Sequence, residues 1–546
     1  MSRVAHYLQE HLVGEVVTSA DAKRFFSTDC SIFTATPSII VYPRGEADVR
    51  KVTRFAWQLA ERGRSIPITA RGAGTDLGGG AIGTGIILVF PAHMNRVVEF
   101  DSKTGNAIVE PGIMYGKLQQ TLETHGRFLP PFPASYEYST VGGAIANNAS
   151  GEKSVKYGDT STYVQGLRVV LANGEVIETK RLAKRELSKK LGLATFEGEI
   201  YRSLDALLEE NKEVVENTVL AVTKNNAGYN LADIKRSDGS FDLTPLLVGS
   251  QGTLAVVTEA TITTKPFNPE TTLMIAAFDD AGRAQQTIKE LRAMKADSPS
   301  AIELVDQNLL QAVKAINPNQ LKDVIEEPYP LLTLIIEFDL SNERQQKKAT
   351  KQAIKILRTY ATGHKIETEP LKQTDLWKIR QASGSVLSAA HGRAKAIPVV
   401  DDGIVPIEKF RAYMEGVYAL FKRNNLDITI WGHAGDANLH LQPHLDLSEI
   451  GDRQKVFKVM DDYYKFVISL GGSISAEYND GRLRAPYLPL LYGNDAYSVF
   501  QKVKKIFDPY NTMNPGVKID VTLEDIRPLL RQEYDLGHLH QHLPRS

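Results

Sequence analysis

Five glycines fall within nine residues in Gly72-Ala73-Gly74-Thr75-Asp76-Leu77-Gly78-Gly79-Gly80, directly after the apolar run Ile66 to Ile68. Backbone so poor in Cβ atoms can take positive φ and approach a ligand closely, so the segment reads as a phosphate cradle. An ordinary tight turn would explain a lone glycine cluster equally well. A second tract favours the cradle. Pro133-Ala134-Ser135, Ser139 through Gly151 and Lys156-Tyr157-Gly158 alternate small residues with Ser, Thr and Asn. Such a tract lines a groove with backbone amides and short donors, which suits a pyrophosphate or the polar edge of a flavin. The spacing is not that of a G-x-G-x-x-G dinucleotide fingerprint.

A chain of 546 residues exceeds one ordinary domain and can bury two or more cores. Its 64 basic and 65 acidic side chains nearly cancel, which argues against nucleic acid or an acidic partner as the main ligand. Cys30 is the only cysteine, so internal disulfides, an all-cysteine zinc site and an iron–sulfur cluster ligated by this chain are excluded. The opening Met1-Ser2-Arg3-Val4-Ala5-His6 has no apolar signal core, and no run of about eighteen apolar residues follows. A cytoplasmic protein, or one peripheral to the inner face of the membrane, is the default expectation.

In chain order, residues 1–37 read as a helical lead-in. Ile39 to Val41 (strand), a helix with the apolar face Val49, Val52, Phe55, Ala56 and Leu59, and Ile66 to Ile68 (strand) form a βαβ unit that delivers the glycine loop. Strands are expected at Ile86 to Phe90, Arg96 to Phe100 and Ala107 to Glu110, with a helix near Tyr115 to His125. Leu167 to Leu171, Asn173-Gly174 and Val176 to Glu178 predict a hairpin with a type I′ turn. The basic stretch Lys180 to Lys190 reads as a solvated face. Beyond Pro269, Thr272 to Phe278 (strand), Ala281 to Met294 (helix), Pro330 to Phe338 (strand) and Asn342 to Tyr360 (helix) give the rhythm of a ferredoxin-like α+β unit. Helices from about Ile450 and a segment at Asn514-Pro515-Gly516 are expected to return to the first domain. The tail with His538, His540 and His542 reads as a surface terminus, not a metal site.

Trp431-Gly432-His433-Ala434-Gly435-Asp436-Ala437-Asn438-Leu439-His440 places two histidines on either side of a glycine-bearing bend. Two imidazoles need a third ligand to make an open zinc or manganese site, and Ser475-Ala476-Glu477-Tyr478 offers one. Asp436 and Asn438 could serve only to cap the bend.

These segments resemble two levels of one family. The two glycine-rich tracts, with Gly249-Ser250-Gln251-Gly252-Thr253-Leu254-Ala255-Val256, resemble the FAD-binding domain of the vanillyl-alcohol oxidase/PCMH flavoproteins, with Gln251 where many relatives carry Glu. His433 to His440, Glu477 and Asp480-Gly481-Arg482-Leu483-Arg484-Ala485-Pro486 resemble the carboxy-terminal signature of the D-lactate dehydrogenase/glycolate oxidase/D-2-hydroxyglutarate dehydrogenase family. The resemblance covers roughly residues 25 to 520. It implies an α+β protein: a PCMH-type, two-subdomain FAD-binding domain at 38–268, a ferredoxin-like substrate (cap) domain at 269–465, and a helical segment at 466–546 that returns to the FAD domain. It places FAD on Arg71, Gly72, Ala73, Gly74, Thr75 and Asp76, and on Pro133, Ser135, Ser139 and Thr140. It continues with Gly142, Gly143, Ala146, Asn147, Asn148, Gly151 and Tyr157, then Gly252, Val256 and Asn514. A divalent metal, zinc or manganese, falls to His433, His440 and Glu477. Arg380 and Lys395 match the residues that meet a substrate carboxylate, an arrangement that would fix a 2-hydroxy acid with its Cα–H toward the flavin.

Two departures qualify what the resemblance implies. After the Glu ligand the family carries a His as general base, and this chain has Tyr478 and then Asn479. A free phenol, with a pKa of about 10, is a poor base at neutral pH. Either the metal assists Tyr478, or another group such as His444 takes the proton, or oxidation is impaired. The first glycine loop also lacks the His that carries covalent FAD in many relatives, so non-covalent FAD and dehydrogenase rather than oxidase behaviour are expected. Electrons would leave through a quinone, an iron–sulfur protein or a soluble carrier. The leading expectation is an FAD-dependent dehydrogenase of a D-2-hydroxy acid such as D-lactate or glycolate. The alternatives are a flavin enzyme of another alcohol, or a flavin-binding electron-transfer subunit that has lost its base.

Overall fold

The computed structural model describes residues 3–319, 321–322, 324–388 and 394–536, with backbone only at 382 and 384–388. Met1, Ser2 and the tail histidines His538, His540 and His542 lie outside the described residues. Strands Ile39–Tyr42, Ile86–Val89 and Ile68–Arg71 form a parallel set with Ile86–Val89 in the middle, and Glu15–Val17 adds an antiparallel edge. Helix Glu46–Glu61 follows Ile39–Tyr42 and precedes Ile68–Arg71, burying Val49, Val52 and Ala56 at helical spacing in the core that this sheet shares. The strand expected from Ile66 begins instead at Ile68, because Pro67 has no N–H to give the ladder.

A second, antiparallel sheet runs Val97–Asp101, Asn106–Val109, Val256–Thr263, Val164–Val170 and Val176–Glu178. Alternate residues of Val256–Thr263 are buried, the period of a strand with one face on a core. The hairpin at Asn173-Gly174 forms, but its turn differs from the expected type. Gly174 N donates to Leu171 O and Leu171 N to Glu175 O, and of the pair only Gly174 (φ +84°) is left-handed. That is a type I turn closed by a glycine bulge, whereas type I′ needs both central residues at positive φ.

The third sheet carries the ferredoxin-like unit. Gly363–Glu367, Thr272–Phe278, Leu332–Phe338 and Ala301–Asp306 lie side by side in that order, backed by helices Ala281–Arg292 and Glu343–Tyr360. Two of these strands escape a reading of the sequence for opposite reasons. Gly363–Glu367 is a polar, largely exposed edge, and Ala301–Asp306 is wholly buried yet carries Glu303 at its centre. Strands Ile428–His433, Asn438–Leu445 and Lys395–Ala396 extend the sheet past Ala301–Asp306. Register sets Glu303 beside Ile335, Val305 beside Trp431, and Trp431 beside His440, so these side chains share one face.

The C-terminal part returns to the glycine loop. Arg482 N and Leu483 N both donate to Gly78 O, at 2.7 and 3.1 Å, and Ile68 N donates to Thr512 O at 2.7 Å. Lys518, fully buried, holds the crossing by donating to Asp480 Oδ2 at 2.8 Å, to Asn226 O at 3.3 Å and to Asn479 Oδ1 at 2.5 Å. Removing one member of a buried ion pair strands the other charge, at about 3–5 kcal/mol. Lys518→Met should therefore lower the thermal unfolding midpoint sharply, and adding Asp480→Asn should recover part of the loss. A single variant as stable as wild type would show that the pair does not hold the crossing.

Candidate active site

Strand Ile68–Arg71 delivers the glycine loop to one wall of a cavity of about 800 Å³. A Cβ at Gly72 would fall 2.2 Å from Thr140 Oγ1, so the two flavin tracts touch at a point only glycine permits. Asp76 closes the loop on itself, accepting from Gly78 N at 3.0 Å, Gly80 N at 2.6 Å and Asn147 Nδ2 at 2.9 Å. Thr140 Oγ1 accepts from Gly143 N at 3.1 Å and starts helix Val141–Asn147. Ser139 Oγ and Arg71 Nη2 belong to residues that line the cavity and are buried without a protein partner among the described residues. Unpaired buried donors beside Cβ-free backbone fit a large polar cofactor such as FAD.

Arg71 through Asp76, Pro133, Ser135, Ser139, Thr140, Gly142, Gly143, Ala146, Asn147 and Gly252 all line this cavity. Five expected flavin residues stand behind the wall instead. Val256 packs in the core while Ala255 and Val257 face the cavity, as strand alternation requires. Asn148 binds Asp159 and Asn226, Tyr157 donates to Asp339, and Gly151 is pressed against Phe132 O. Asn514 ties Gly80 O and Gln251 O at 2.9 and 2.8 Å. Gln251 uses both halves of its amide, donating to Asn147 Oδ1 at 2.9 Å and accepting from Gly481 N at 2.8 Å. An ionised glutamate there could not donate.

At the far end of the cavity, His433 and His440 project from neighbouring strands joined by the Ala434–Asp436 turn, which Ala437 closes in the left-handed region at φ +56°. Their Nε2 atoms are 3.3 Å apart, and Glu477 Oε2 lies 2.7 and 3.4 Å from them. All three residues are buried. Each Nδ1 donates to a carboxylate, His433 to Glu303 at 2.7 Å and His440 to Asp401 at 2.9 Å, which fixes both ring orientations. Burial opposes charge on His440, but Asp401 and Glu477 outweigh it and raise its pKa to about 9. Burial works to raise Glu303, yet His433 and Arg380 hold it at about 2. Two imidazoles and a carboxylate converging on one point, each imidazole backed by a carboxylate, form a donor set suited to zinc or manganese.

Arg380, on helix Pro370–Ser388, donates through Nε to Glu303 Oε2 at 2.7 Å and through Nη1 to Ser383 Oγ at 3.0 Å, and lines the cavity. Glu303 therefore couples Arg380 to His433. Lys395 does not line the cavity; Ala396, its neighbour in the two-residue strand, does. His444 pairs across from Ala396 and also stands outside the lining. Tyr478 stacks on His440 with ring centroids 4.9 Å apart and its hydroxyl 3.5 Å from Nε2. Burial, with Glu477, Asp401 and Asp402 nearby, pushes its phenol well above 10, away from a base's range. Asn479 sits at φ +68°, where Gly or Asn is best tolerated. Glu303, Asp401 and Asp402, which no motif in the sequence marks, hold the two histidines and the turn that carries Glu477. Each is a carboxylate inside or next to an apolar run, Ala301-Ile302-Glu303-Leu304-Val305 and Val399-Val400-Asp401-Asp402, and that was the available signal.

Residues 37–180 match the family described as FAD binding domain, and residues 268–517 that described as FAD linked oxidases, C-terminal domain. The chain is 31% identical over 524 residues to a D-2-hydroxyglutarate dehydrogenase of Escherichia coli (strain K12), across 93% of this chain and 50% of that protein. It thus spans about half the length of that relative. Glycolate oxidase subunit GlcD of Bacillus subtilis (strain 168) is 29% identical, covering 89% of each chain, and a D-lactate dehydrogenase of Archaeoglobus fulgidus is 27% identical over 92% and 96%. Among solved structures, p-cresol methylhydroxylase with substrate bound matches at a TM-score of 0.68 and 15% identity, covering 95% and 96% of the two chains, a likeness of fold alone. With the flavin cradle and the histidine cluster on one cavity, the chain belongs to the vanillyl-alcohol oxidase/PCMH-type FAD-linked oxidases, in the family of the D-lactate dehydrogenases, glycolate oxidases and D-2-hydroxyglutarate dehydrogenases.

Proposed function

We propose that this protein is an FAD-dependent dehydrogenase that oxidises a D-2-hydroxy acid, of the D-lactate or glycolate kind, to the 2-oxo acid, with FAD held non-covalently. The observation that carries the reading is the convergence of His433, His440, Glu477 and Arg380 on the cavity that the flavin loops line. Arg380, its plane set by Glu303 and Ser383, takes the substrate carboxylate. A divalent cation on His433, His440 and Glu477 would supply Lewis-acid polarisation of the 2-hydroxyl. His433, His440, Glu477 and Trp431 are buried at that end of the cavity, and Tyr478 packs on His440. Electrons would pass to a quinone, an iron–sulfur protein or a soluble carrier. A second reading, a flavin-binding subunit with altered chemistry, draws on the raised phenol of Tyr478.

Under anaerobic conditions, one of D-lactate, glycolate, malate or D-2-hydroxyglutarate should bleach the flavin absorbance of the purified protein. A chelator should slow that bleaching about tenfold or more, and zinc or manganese should restore it. Bleaching indifferent to chelator would remove the metal from the proposal, and no bleaching by any acid would favour the second reading. Glu303→Gln should weaken zinc binding about 10–100-fold in competition with a chelating dye, because it releases the His433 ring. Undiminished zinc affinity would show that the cluster is not a metal site tuned by Glu303.

A further inference from the structure

If the reaction is the one proposed above, a proton must leave the substrate hydroxyl. Tyr478 stacks on His440 with its hydroxyl 3.5 Å from Nε2, and His444 stands outside the cavity. Among the described residues, four that carry carboxylates line the cavity. Asp76 is closed on the backbone of its own loop, Glu337 accepts from Lys153 at 2.6 Å and Ser300 at 2.7 Å, and Glu477 sits between two imidazoles. Glu152 differs from these: it has no hydrogen-bond or ion-pair partner among the described residues, yet it lines the cavity.

The position of Glu152 is built, not incidental. On one side, Gly151 is fixed against Phe132 O, where no Cβ fits. On the other, Lys153 pairs with Glu337, and Lys156 and Tyr157 bind Asp339, so the segment is fastened to strand Leu332–Phe338 of the cap sheet and the residue after it. Ser154 Oγ donates to Asp436 Oδ2 at 2.5 Å in the turn between the two histidines, which places the segment at the histidine end of the cavity. Burial raises the Glu152 carboxyl above its usual range, against the pull of Arg380, which moves it toward the range of a working base.

We propose that Glu152 is the catalytic base for this reaction. The substrate O–H bond breaks with its proton passing to a Glu152 carboxylate oxygen, the C–O bond becomes C=O, and the Cα–H leaves with its electron pair as hydride to oxidised FAD, which is reduced by two electrons.

The test compares anaerobic flavin bleaching, by the acid that bleaches wild type, in holoprotein carrying Glu152→Gln or Glu152→Asp. Glu152→Gln should lower the saturating bleaching rate about 100-fold or more with flavin content unchanged, and Glu152→Asp should recover part of it. Wild-type bleaching should speed up with rising pH through one ionisation that Glu152→Gln lacks. Independently of turnover, the infrared difference spectrum between acidic and neutral oxidised protein should show a carboxyl band that Glu152→Gln removes. A Glu152→Gln rate within about threefold of wild type would overturn the assignment, since loss of a general base costs far more. So would a variant that needs more substrate but reaches the same saturating rate, since Glu152 would then be a binding group. A wild-type flavin that no hydroxy acid bleaches would overturn the functional reading and this assignment with it.

Discussion

The carboxylate of Asp402 accepts three successive backbone N–H groups, from Ala476, Glu477 and Tyr478, at 2.8 to 3.0 Å. Hydrogen bonds to a charged, buried group are worth roughly 1.5–3 kcal/mol each, so this one side chain dictates where the turn carrying Glu477 and Tyr478 can sit. One residue later the same backbone is claimed by the flavin domain. Asn479 Nδ2 donates to Gly249 O at 2.9 Å and Asn147 O at 3.1 Å, and Gly481 N reaches Gln251 at 2.8 Å. The third member of the histidine cluster and the wall of the flavin cavity are thus fixed by one short, doubly anchored segment. A displacement of either would be felt by the other, because both parts line one cavity.

Charges alternate through the buried centre: Arg380, Glu303, His433, Glu477, His440, Asp401. Each is almost wholly removed from water, and any one alone would carry a desolvation cost of several kcal/mol. The alternation works because the register of the cap sheet sets its strands so that Glu303 meets His433. A shift by one residue would turn every one of these strand side chains to the opposite face. The same register places Trp431 and His440 side by side under the cavity.

Much of this arrangement was legible in the chain. The glycine loop announced itself because only glycine allows the contact of Gly72 with Thr140. The placing of His433 and His440 on either side of a bend anticipated that both rings come together, though not the second strand, Asn438–Leu445, that carries His440. Direction was harder to read. Val256, Tyr157, Asn148 and Lys395 lie in the right segments but turn away from the cavity, since a motif locates backbone and alternation decides which side chain faces in. Tyr478 and Asn479 looked like paired losses. In the fold, Asn479 fills a left-handed position and ties the flavin wall, while Tyr478 packs on His440.

The order of residues along the chain settles local matters: where glycine must permit close approach, where apolar periodicity demands helix or strand, and which residues could ligate a cation. These follow from the conformational and chemical limits of single side chains and their near neighbours. Folding in three dimensions adds that Glu303, Asp401 and Asp402, far in sequence from the groups they hold, orient the histidine cluster and the turn behind it, and that Glu152 stands in the cavity without a partner among the described residues. Those relations depend on strand register and on contacts between distant parts of the chain, and no periodicity within the chain encodes which distant carboxylate will meet which imidazole.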